Sequence, residues 1–417
     1  MVKLLVIADD FTGALDTGVQ FAARGAVTSV VTDPAYAFTQ TRPDIQVLVL
    51  DAETRHIPPD QAYSIVFHAV RNARKAGISY IYKKTDSALR GNIGSELTAA
   101  MDGAGVDSIP FIPAFPKMGR VTRRGVHYID GVPVAESVFG QDPFEPVKAS
   151  DLRSILAEQS DAAVIFHEAN EQSPAEQQGG IQVFNAVTDE DLLRIGRQLD
   201  FSGLQLSAGC AGFAAVLAEI LELEGSATHL PALVPTLFVV CGSVNPVTRQ
   251  QLDTAERRGF PRTRLSPEQK LTEAWLESDA CTVEVQKWLD LTRREHRCIL
   301  DANDPDGGMD TQQYADCSGL TTEQLRVQIS TVLGKLMKRL LDSGLDATLM
   351  CTGGDTLLAL MRAVGVSELM PVCELAAGTV LTSFLYQEKI YHIISKSGGF
   401  GEADLLCKLA ALTKAGK

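Results

Sequence analysis

The chain has 417 residues, of which 45 % are hydrophobic and 22 % are charged, and its formal net charge at pH 7 is −14. A chain of this length and composition can fold into two globular domains, each with its own core, and it is not typical of a disordered protein. Because the net charge is strongly negative, we expect neither nucleic acid nor an anionic membrane surface as the main partner.

The sequence also argues against export and against zinc binding. Its charges leave no apolar run long enough for a membrane span, and two aspartates in residues 1–10 precede any complete signal-like core. All eight cysteines lie between positions 210 and 407, and none of them forms a C-x-x-C pair. We therefore expect a cytoplasmic protein with free thiols.

The first half of the chain alternates short apolar runs with amphipathic stretches. The run "KLLVIA" leads through "DDFTG" into the helical-looking "ALDTGVQFAARG", and amphipathic segments cover Gln61–Lys75 and Glu190–Leu199. Further β-rich runs are "VTSVVT", "IQVLVLD", "ISYIYKK", "SIPFIP", "AAVIF" and "GLQLSA". This alternation predicts an α/β fold with a mostly parallel sheet.

The second half repeats this pattern after an interruption. Small residues and two prolines in 223–236 predict a boundary, with a first domain at 1–228, a linker at 229–236 and a second domain at 237–417. Strands are predicted at "LFVVCGS", "CIL", "ATLMC", "VLTSFL" and "YHIISK", with a long helix over Thr322–Ser343. We predict two lobes, each a mostly parallel sheet flanked by helices, with the active site in the interdomain cleft.

Polar residues follow three apolar runs of the first half, where ligands of open α/β sheets bind. They are Asp9, Asp10, Thr12 and Gly13 after the first run, Glu53, Thr54 and Arg55 after another, and Lys83, Lys84, Thr85, Asp86, Ser87 and Arg90 after a third. Carboxylates there can orient hydroxyls, accept a proton or hold Mg²⁺, and the cations can neutralise a substrate carboxylate. The set suits a small hydroxylated acid. Helix capping by Asp9 and Asp10, and solvation of Lys84 and Arg90, are the alternatives.

A basic stretch follows at residues 113–137. Its cations Lys117, Arg120, Arg123 and Arg124 can serve substrate, phosphate or subunit contacts, or simply lie at the surface. For His127, a structural role is the simpler interpretation.

Three strand ends of the second half carry glycine. They contain Gly242, Ser243 and Asn245, then Gly353 and Gly354, then Gly398, Gly399 and Gly401. Such ends can offer free amides to an anion, although tight turning explains each glycine pair equally well. Neither a Walker motif nor a strand-borne G-x-G-x-x-G occurs. From residues alone, we expect an acid site in one lobe and an anion site in the other.

Six motifs in order resemble the four-carbon acid sugar kinase family. They are "VIADDFTGALDTG", "YKKTDSALRGNIGSEL", "PAFPKMGRVTRRGVHYIDGVPVAES", "CGSVNPVTRQQL", "CTGGDTL" and "SKSGGFGE". The resemblance implies an amino-terminal sugar-acid-binding domain, a carboxy-terminal nucleotide-binding domain, and ATP-dependent phosphorylation of the terminal hydroxyl of a tetronate with Mg²⁺. D-threonate or 3-oxo-tetronate is the expected substrate, with D-erythronate as a third candidate, in a pathway of sugar-acid catabolism.

The resemblance also assigns residues. It implies substrate contacts by Asp9, Asp10, Arg55, Lys84, Thr85, Asp86 and Ser87, and ATP contacts by Ser243, Gly353, Gly354, Asp355, Thr356, Gly398 and Gly399. By analogy with glycine-aspartate pairs at helix starts in other sugar kinases, Asp355 is the first candidate for the catalytic group, with Asp86 and Asp10 as rivals. The metal ligands stay open, a homodimer is the general expectation, and a catalytically silent sugar-acid or nucleotide sensor is the alternative function.

Overall fold

The computed structural model describes residues 2–142, 145–170, 179–223, 225, 230–305 and 309–415. The chain divides into two compact units, Met1–Thr228 and His229–Lys417, called here the amino-terminal and carboxy-terminal units. Residue 229 of the predicted linker, and residues 224 and 226–228 of the predicted boundary region, lie outside the described residues.

The amino-terminal unit is built on a parallel sheet of eight strands, in the order β2-β3-β1-β4-β11-β5-β10-β9. Its strands are β1 Leu4–Ala8, β2 Thr28–Val31, β3 Val47–Asp51, β4 Tyr80–Lys84, β5 Ser108–Ile112, β6 Arg120–Arg123, β7 Val126–Ile129, β8 Val132–Pro133, β9 Val164–His167, β10 Gly180–Phe184 and β11 Leu206–Gly209. Its helices are α1 Phe11–Ala22, α2 Pro59–Lys75, α3 Ile93–Ala104, α4 Leu152–Ala157, α5 Asp189–Gly203 and α6 Ala211–Ile220.

The central strands β1 and β3 are buried along their whole length, as expected for parallel strands covered by helices on both faces. In the register of the sheet, Ala8 lies beside both Asp51 and Lys84. The polar residues that follow β3, β1 and β4 therefore emerge side by side at one edge of this sheet.

The carboxy-terminal unit contains a seven-stranded sheet in the order β13-β14-β12-β15-β18-β17-β16. Its strands are β12 Leu237–Cys241, β13 Arg262–Arg264, β14 Arg297–Asp301, β15 Thr348–Thr352, β16 Glu368–Ala376, β17 Thr379–Tyr386 and β18 Lys389–Lys396. Its helices are α7 Pro246–Arg257, α8 Pro267–Leu271, α9 Glu273–Leu276, α10 Asp279–Glu295, α11 Met309–Cys317, α12 Thr322–Asp342, α13 Gly354–Val364 and α14 Leu405–Ala415.

Five strands of this second sheet are parallel, and β16 and β17 run antiparallel to their neighbours. Thr352 lies beside both Cys241 and Lys396 in the register. The turns after β12, β15 and β18 are consequently neighbours. The predicted α/β fold with mostly parallel sheets is confirmed.

Two elements differ from the predicted pattern. The basic stretch, where no strand was predicted, forms an antiparallel sheet of β6, β7 and β8. Strand β16 was not predicted, because Pro371 interrupts an otherwise apolar run, and the structure accommodates this proline beside a shift in register.

All eight cysteines are free, and five of them are buried. Among the described residues, no helix combines the length and apolar character needed to cross a membrane.

Candidate functional site

Arg55 lies at the centre of a buried ionic network at the carboxyl edge of the amino-terminal sheet. Its Nε donates to Asp9 Oδ2 at 2.7 Å, and its Nη1 and Nη2 donate to the two carboxylate oxygens of Asp10 at 2.9 and 2.6 Å. The main-chain amide of Arg55 also donates to the carbonyl of Asp9. The side chains of Arg55 and Asp9 are only 7 % and 2 % exposed. Backbone and side-chain contacts therefore fix this guanidinium in one position.

Lys84, the last residue of β4, joins the same network. Its Nζ donates to Asp9 Oδ1 and to Asp10 Oδ1, each at 3.1 Å. A Cβ on residue 13 would lie 1.7 Å from Lys84 Nζ and 2.5 Å from Asp10 Oδ1. Gly13 is therefore required for the ammonium group to reach the start of α1.

Asp10 combines the two roles that the sequence left open. Its Oδ1 accepts the main-chain amide of Gly13 at 3.1 Å and so caps α1, while the same carboxylate binds Arg55 and Lys84. Capping orients this carboxylate toward the ionic network.

Asp86 is held by a second arginine in the loop after β4. Its Oδ2 accepts from Arg90 Nε at 2.8 Å, its Oδ1 accepts from Arg90 Nη2 at 3.2 Å, and Arg55 Nη2 lies 3.6 Å away. Arg90 also donates to Asp142 at 3.2 Å. The adjacent Thr85 is fully buried, and its hydroxyl has no hydrogen-bond partner among the described residues.

The network keeps its charges at neutral pH. Burial alone would raise the pKa of Asp9, but Arg55 and Lys84 hold it well below its ordinary value. Burial likewise acts on Asp86, where Arg90 and Arg55 prevail and lower the pKa. Burial would lower the pKa of Lys84, and the two aspartates raise it above its ordinary range. These groups form permanent charges in a fixed arrangement.

Asp51 differs from these aspartates because its pKa is raised. The sequence did not indicate this, since Asp51 is simply the last residue of a predicted strand. Burial, then the nearby charges of Glu53 and Asp10, raise its pKa well above the ordinary value. Glu53 has a left-handed backbone with φ of 48°, which is uncommon for a residue with a side chain. Asp51 therefore holds a proton more readily than the aspartates around it.

Lys83 and Thr54, two further strand-end residues, support the network from beneath. Lys83 Nζ lies 3.0 Å from Glu96 Oε2 and donates to the carbonyl of Lys84 at 2.7 Å. The hydroxyl of Thr54 donates to the other oxygen of Glu96. Both residues are completely buried, and through Glu96 they tie together the ends of β3 and β4, next to Arg55 and Lys84.

The strands β6 and β7 contribute structure beside the Asp86 loop. His127 is completely buried, its Nε2 donates to the carbonyl of Ser87 at 2.9 Å, and its Nδ1 accepts from Thr122 at 3.0 Å. Burial lowers the pKa of His127 to about 4, so the ring is neutral and structural. Arg120 is buried as well, whereas Lys117, Arg123 and Arg124 are exposed.

Three glycine turns lie together at the carboxyl edge of the carboxy-terminal sheet. A Cβ on Gly353 would lie 3.7 Å from the amide nitrogen of Ser243, and a Cβ on Gly398 would lie 3.3 Å from Ser243 Oγ. A Cβ on Gly399 would lie 3.7 Å from Asn245 Nδ2. Ser243 is therefore at the centre of the turns that follow β12, β15 and β18.

Gly353 is the residue that precedes α13, and its φ of 95° requires glycine. In the described structure, no side chain caps this helix. The first amides of α13, which include those of Asp355 and Thr356, thus point out of the helix without a side-chain acceptor, as in anion-binding helix starts. Thr356 itself is buried and packs on the turn after β12, because a Cβ on Gly242 would lie 2.2 Å from its Oγ1.

Asp355 occupies the first turn of α13. Its side chain is 46 % exposed, and its Oδ2 accepts from Arg326 Nη1 at 2.7 Å. It is thus accessible to a ligand and at the same time paired with a cation of α12.

Comparison with known proteins agrees with this division of the chain. The family model described as a sugar-binding N-terminal domain matches residues 4–217, and the model described as a nucleotide-binding C-terminal domain matches residues 238–406. A D-threonate kinase from Salmonella typhimurium is 31 % identical over 97 % of both chains.

The chain belongs to the four-carbon acid sugar kinase family. A D-threonate kinase from Bordetella bronchiseptica is 29 % identical over 97 % of this chain and 96 % of its own length. A D-erythronate kinase from Heliobacterium modesticaldum is 27 % identical over 98 % of this chain and 96 % of its own length. A solved structure from Haemophilus influenzae, 21 % identical, superposes with a TM-score of 0.74 over 98 % of this chain and 100 % of that one, which shows the same fold.

Within this family fold, the structure brings the predicted residues together in two sets. Asp9, Asp10, Arg55, Lys84 and Asp86 form one ionic network, with Thr85 and Ser87 in the same loop as Asp86. The second set collects Ser243, Gly353, Gly354, Asp355, Thr356, Gly398 and Gly399 at neighbouring strand ends. Asp355 and Asp86, the two candidate catalytic groups, belong to different units.

A kinase of this family is expected to use Mg²⁺ together with ATP. The described residues contain no cluster of three or more histidine, cysteine or acidic side chains that could hold a metal ion. Mg²⁺ commonly takes one or two protein oxygens and completes its shell with phosphate oxygens and water. The accessible carboxylate of Asp355 fits such a role.

Proposed function

We propose that the protein is an ATP-dependent kinase that transfers the γ-phosphate to the terminal 4-hydroxyl of a four-carbon acid sugar. One observation carries the proposal: the unit matched as sugar-binding contains a fixed charged network, and the unit matched as nucleotide-binding contains converging glycine turns. A small hydroxylated acid and a triphosphate are the ligands that suit these two surfaces.

The charged network would bind the acid through groups that are already oriented. Lys84 donates two hydrogen bonds to aspartates, and an ammonium group has three N–H donors, so one remains for the substrate carboxylate. Arg55 is the other candidate for that carboxylate. Asp9, Asp10 and Asp86 are acceptors for substrate hydroxyls. Because their positions are fixed before binding, little ordering is needed when the acid arrives.

The glycine turns would bind ATP through the main chain. The amides at the start of α13 and of the turn at Gly398 and Gly399 can donate to phosphate oxygens, with the hydroxyl of Ser243 between them. Phosphoryl transfer depends mainly on positioning and charge stabilisation, which these groups supply. Bound Mg²⁺ would neutralise part of the phosphate charge.

Asp355 is the better candidate for the catalytic carboxylate. The pKa of Asp86 is held well below its ordinary value by Arg90 and Arg55, so Asp86 is a poor proton acceptor. Asp355 is partly exposed and has one arginine partner in the described structure. We propose that Asp355 orients the attacking hydroxyl or the metal, and that Asp86 binds substrate.

For the specific acid, we propose D-threonate. Two relatives that each span nearly the whole chain, at 31 % and 29 % identity, are D-threonate kinases. D-erythronate and 3-oxo-tetronate kinases are also found among the relatives, at 27 % and 26 % identity. The product would be a phosphorylated sugar acid for catabolism.

The test is ADP release from the purified protein with Mg²⁺, ATP and a panel of four-carbon acids. The proposal predicts turnover with D-threonate at the highest kcat/KM and weaker turnover with D-erythronate and 3-oxo-tetronate. A higher kcat/KM for another acid would show that the proposed substrate is wrong and would still support the proposed kinase activity. Tight binding of one acid without turnover on any would instead support a sensor and contradict the proposal.

A further inference from the structure

The segment 397–402, called here the 397–402 turn, directs its carbonyl groups toward buried side chains. Gln251 Nε2, on α7, shares its two N–H donors among the carbonyls of Phe400, Gly401 and Glu402, at 3.0, 2.9 and 3.0 Å. The hydroxyl of Thr248, one helical turn earlier, donates to the carbonyl of Gly398 at 2.9 Å. These contacts collect the acceptors of the turn on one side.

Lys396 completes this arrangement. Its Nζ donates to the carbonyls of Ser397 and Gly398 at 3.0 and 2.9 Å and to Thr248 Oγ1 at 2.9 Å. These three contacts use all three donors of an ammonium group. The side chain is only 2 % exposed, and it forms no ion pair with the acidic residues that the structure describes. A buried cation without a counter-ion is costly unless something else compensates its charge.

The amides of the 397–402 turn are only partly used: those of Ser397 and Phe400 donate to the carbonyls of Gly378 and Ser397. Those of Gly398 and Gly399 donate to no residue in the described parts of the chain, and neither residue has a side chain to cover them. A Cβ on Gly398 would lie 3.1 Å from Asn245 Cβ, so a larger residue would be crowded there. Two successive free amides, in a turn whose carbonyls are mostly held by side chains, can form a surface for an anion.

We propose that Lys396, Thr248 and Gln251 are positioning residues that hold the 397–402 turn with the amides of Gly398 and Gly399 open to the phosphates of ATP. Lys396 also places a positive charge directly beneath those phosphates. This inference rests on the nucleotide-binding role proposed above for the carboxy-terminal unit. It adds side chains that touch no phosphate and act through the main chain.

The charge on Lys396 gives this inference a pH signature. Burial lowers the pKa of Lys396 to about 8. The groups facing it are the thiol of Cys241 on β12, whose pKa burial raises to about 12, and the uncharged side chains of Thr352, Thr379 and Thr248. Glu402, at the end of the turn, is paired with Lys408 on the exposed surface. Among these described groups, Lys396 is thus the one whose charge changes near pH 8.

The lowered pKa of Lys396 determines in which direction ATP affinity changes with pH. Lys396 is charged below about pH 8 and neutral above it, whereas a terminal phosphate with a second pKa of about 6 is fully ionised over that range. ATP affinity should therefore fall as the pH rises through about 8. Bound phosphate would stabilise the ammonium form, so ATP binding should take up a proton near that pH.

The experiment measures ATP and adenosine affinity by calorimetry for the wild-type chain, Lys396→Met, and Lys389→Met as the matched control. Lys389 lies on the same strand and forms an exposed ion pair with Asp346. We expect Lys396→Met to weaken ATP binding at least about tenfold, because a charged hydrogen-bonding group is lost. Adenosine binding should be unchanged, as should D-threonate binding, and Lys389→Met should behave as wild type.

The pH dependence of ATP affinity distinguishes a role of Lys396 in ATP binding from a role in folding alone. Wild type should lose ATP affinity between about pH 7 and about pH 9.5, and Lys396→Met should show a flat profile over that range. Equal losses for ATP and adenosine, or the same pH slope in both proteins, would overturn the proposal. Should Lys396→Met fail to fold, Thr248→Val serves instead. It should weaken ATP binding about threefold to tenfold while sparing adenosine, and unchanged ATP binding would overturn the proposal.

The outcomes also distinguish this inference from the proposed kinase function. If wild type binds ATP with the predicted pH dependence but turns over no acid, the kinase function fails and the inference stands. If wild type binds ATP and phosphorylates an acid while Lys396→Met keeps full ATP affinity, the inference fails alone. Absence of ATP binding by the wild-type chain would contradict both.

Discussion

The two units build their candidate sites from different groups, namely charged side chains in one and main-chain amides in the other. The amino-terminal unit presents charged side chains, among them Asp9, Arg55 and Lys84, which neutralise one another inside the protein. The carboxy-terminal unit presents main chain at Gly353, Gly398 and Gly399, with side chains such as Lys396 placed behind it. A small acid must be distinguished by its hydroxyl pattern, which requires directed side chains, whereas phosphates are common to every nucleotide and can be bound by amides.

This difference determines how each site should fail. In the amino-terminal unit, removing one charge leaves its partners buried without compensation, so stability and binding are lost together. In the carboxy-terminal unit, a single substitution alters the geometry of a turn, and we expect a smaller loss of stability and binding. The predictions below run from the largest expected effect to the smallest.

Arg55→Ala should have the largest effect. It removes the common partner of Asp9, Asp10 and Asp86, and breaking a buried ion pair typically costs about 3–5 kcal/mol of unfolding free energy. Urea unfolding should show this loss. In protein that remains folded, the KM for the acid should rise far more than the KM for ATP.

Arg24→Ala is the control, because Arg24 forms a surface pair with Glu219 in the same unit. Its cost should stay within about 1 kcal/mol. If Arg55→Ala raised the two KM values equally, Arg55 would not be an anchor for the acid.

Asp355→Asn tests the chemistry rather than the fold. If this carboxylate orients the hydroxyl or the metal, kcat should fall at least about a hundredfold while ATP still binds. Because Asp355 is partly exposed, the melting temperature should change little. A kcat near that of wild type would remove Asp355 from the catalytic step.

Of the three changes, Gly353→Ala should have the smallest effect on binding or catalysis. A residue with a side chain at its φ of 95° is strained, which costs about 1–2 kcal/mol, although a Cβ there would make only ordinary van der Waals contacts, at 3.7 Å or more. The altered turn should also weaken ATP binding about fivefold or more, since the first amides of α13 follow it.

Gly344→Ala is the matched control for that change. Gly344 has a similar φ, 89°, but it lies in a turn after α12, where a Cβ would meet no atom within 4 Å. Both variants should lose similar stability, and only Gly353→Ala should lose ATP affinity. Equal ATP affinities of the two variants would show that the turn at Gly353 takes no part in nucleotide binding.

The sequence predicted features that depend on neighbours along the chain. Strand ends, the glycine turns and the long helix α12 follow from local patterns, and the parallel order of strands then places Asp9 near Lys84. The sequence could not predict that Lys83 supports the network from below or that Lys396 lies beneath a turn. These depend on partners such as Glu96 and Thr248, which become neighbours only in the folded protein.

The roles of Asp10 and Asp51 show a second limit. Capping and ion pairing at Asp10 looked like alternatives in the sequence, and the structure shows both in one carboxylate. Asp51 resembled the end of an apolar strand, and its raised pKa arises from burial and from Glu53 and Asp10. Electrostatic environment is a property of the fold and leaves no local pattern to read.

The most direct test of the contrast between the units is hydrogen exchange of the wild-type chain with each ligand alone. D-threonate should slow exchange in residues 9–13, 51–57 and 84–92 and leave the other unit unchanged. A non-hydrolysable ATP analogue with Mg²⁺ should slow exchange in residues 242–248, 353–358 and 396–402. Protection of the same segments by both ligands, or of the glycine turns by D-threonate, would contradict the assignment of acid and nucleotide to separate units.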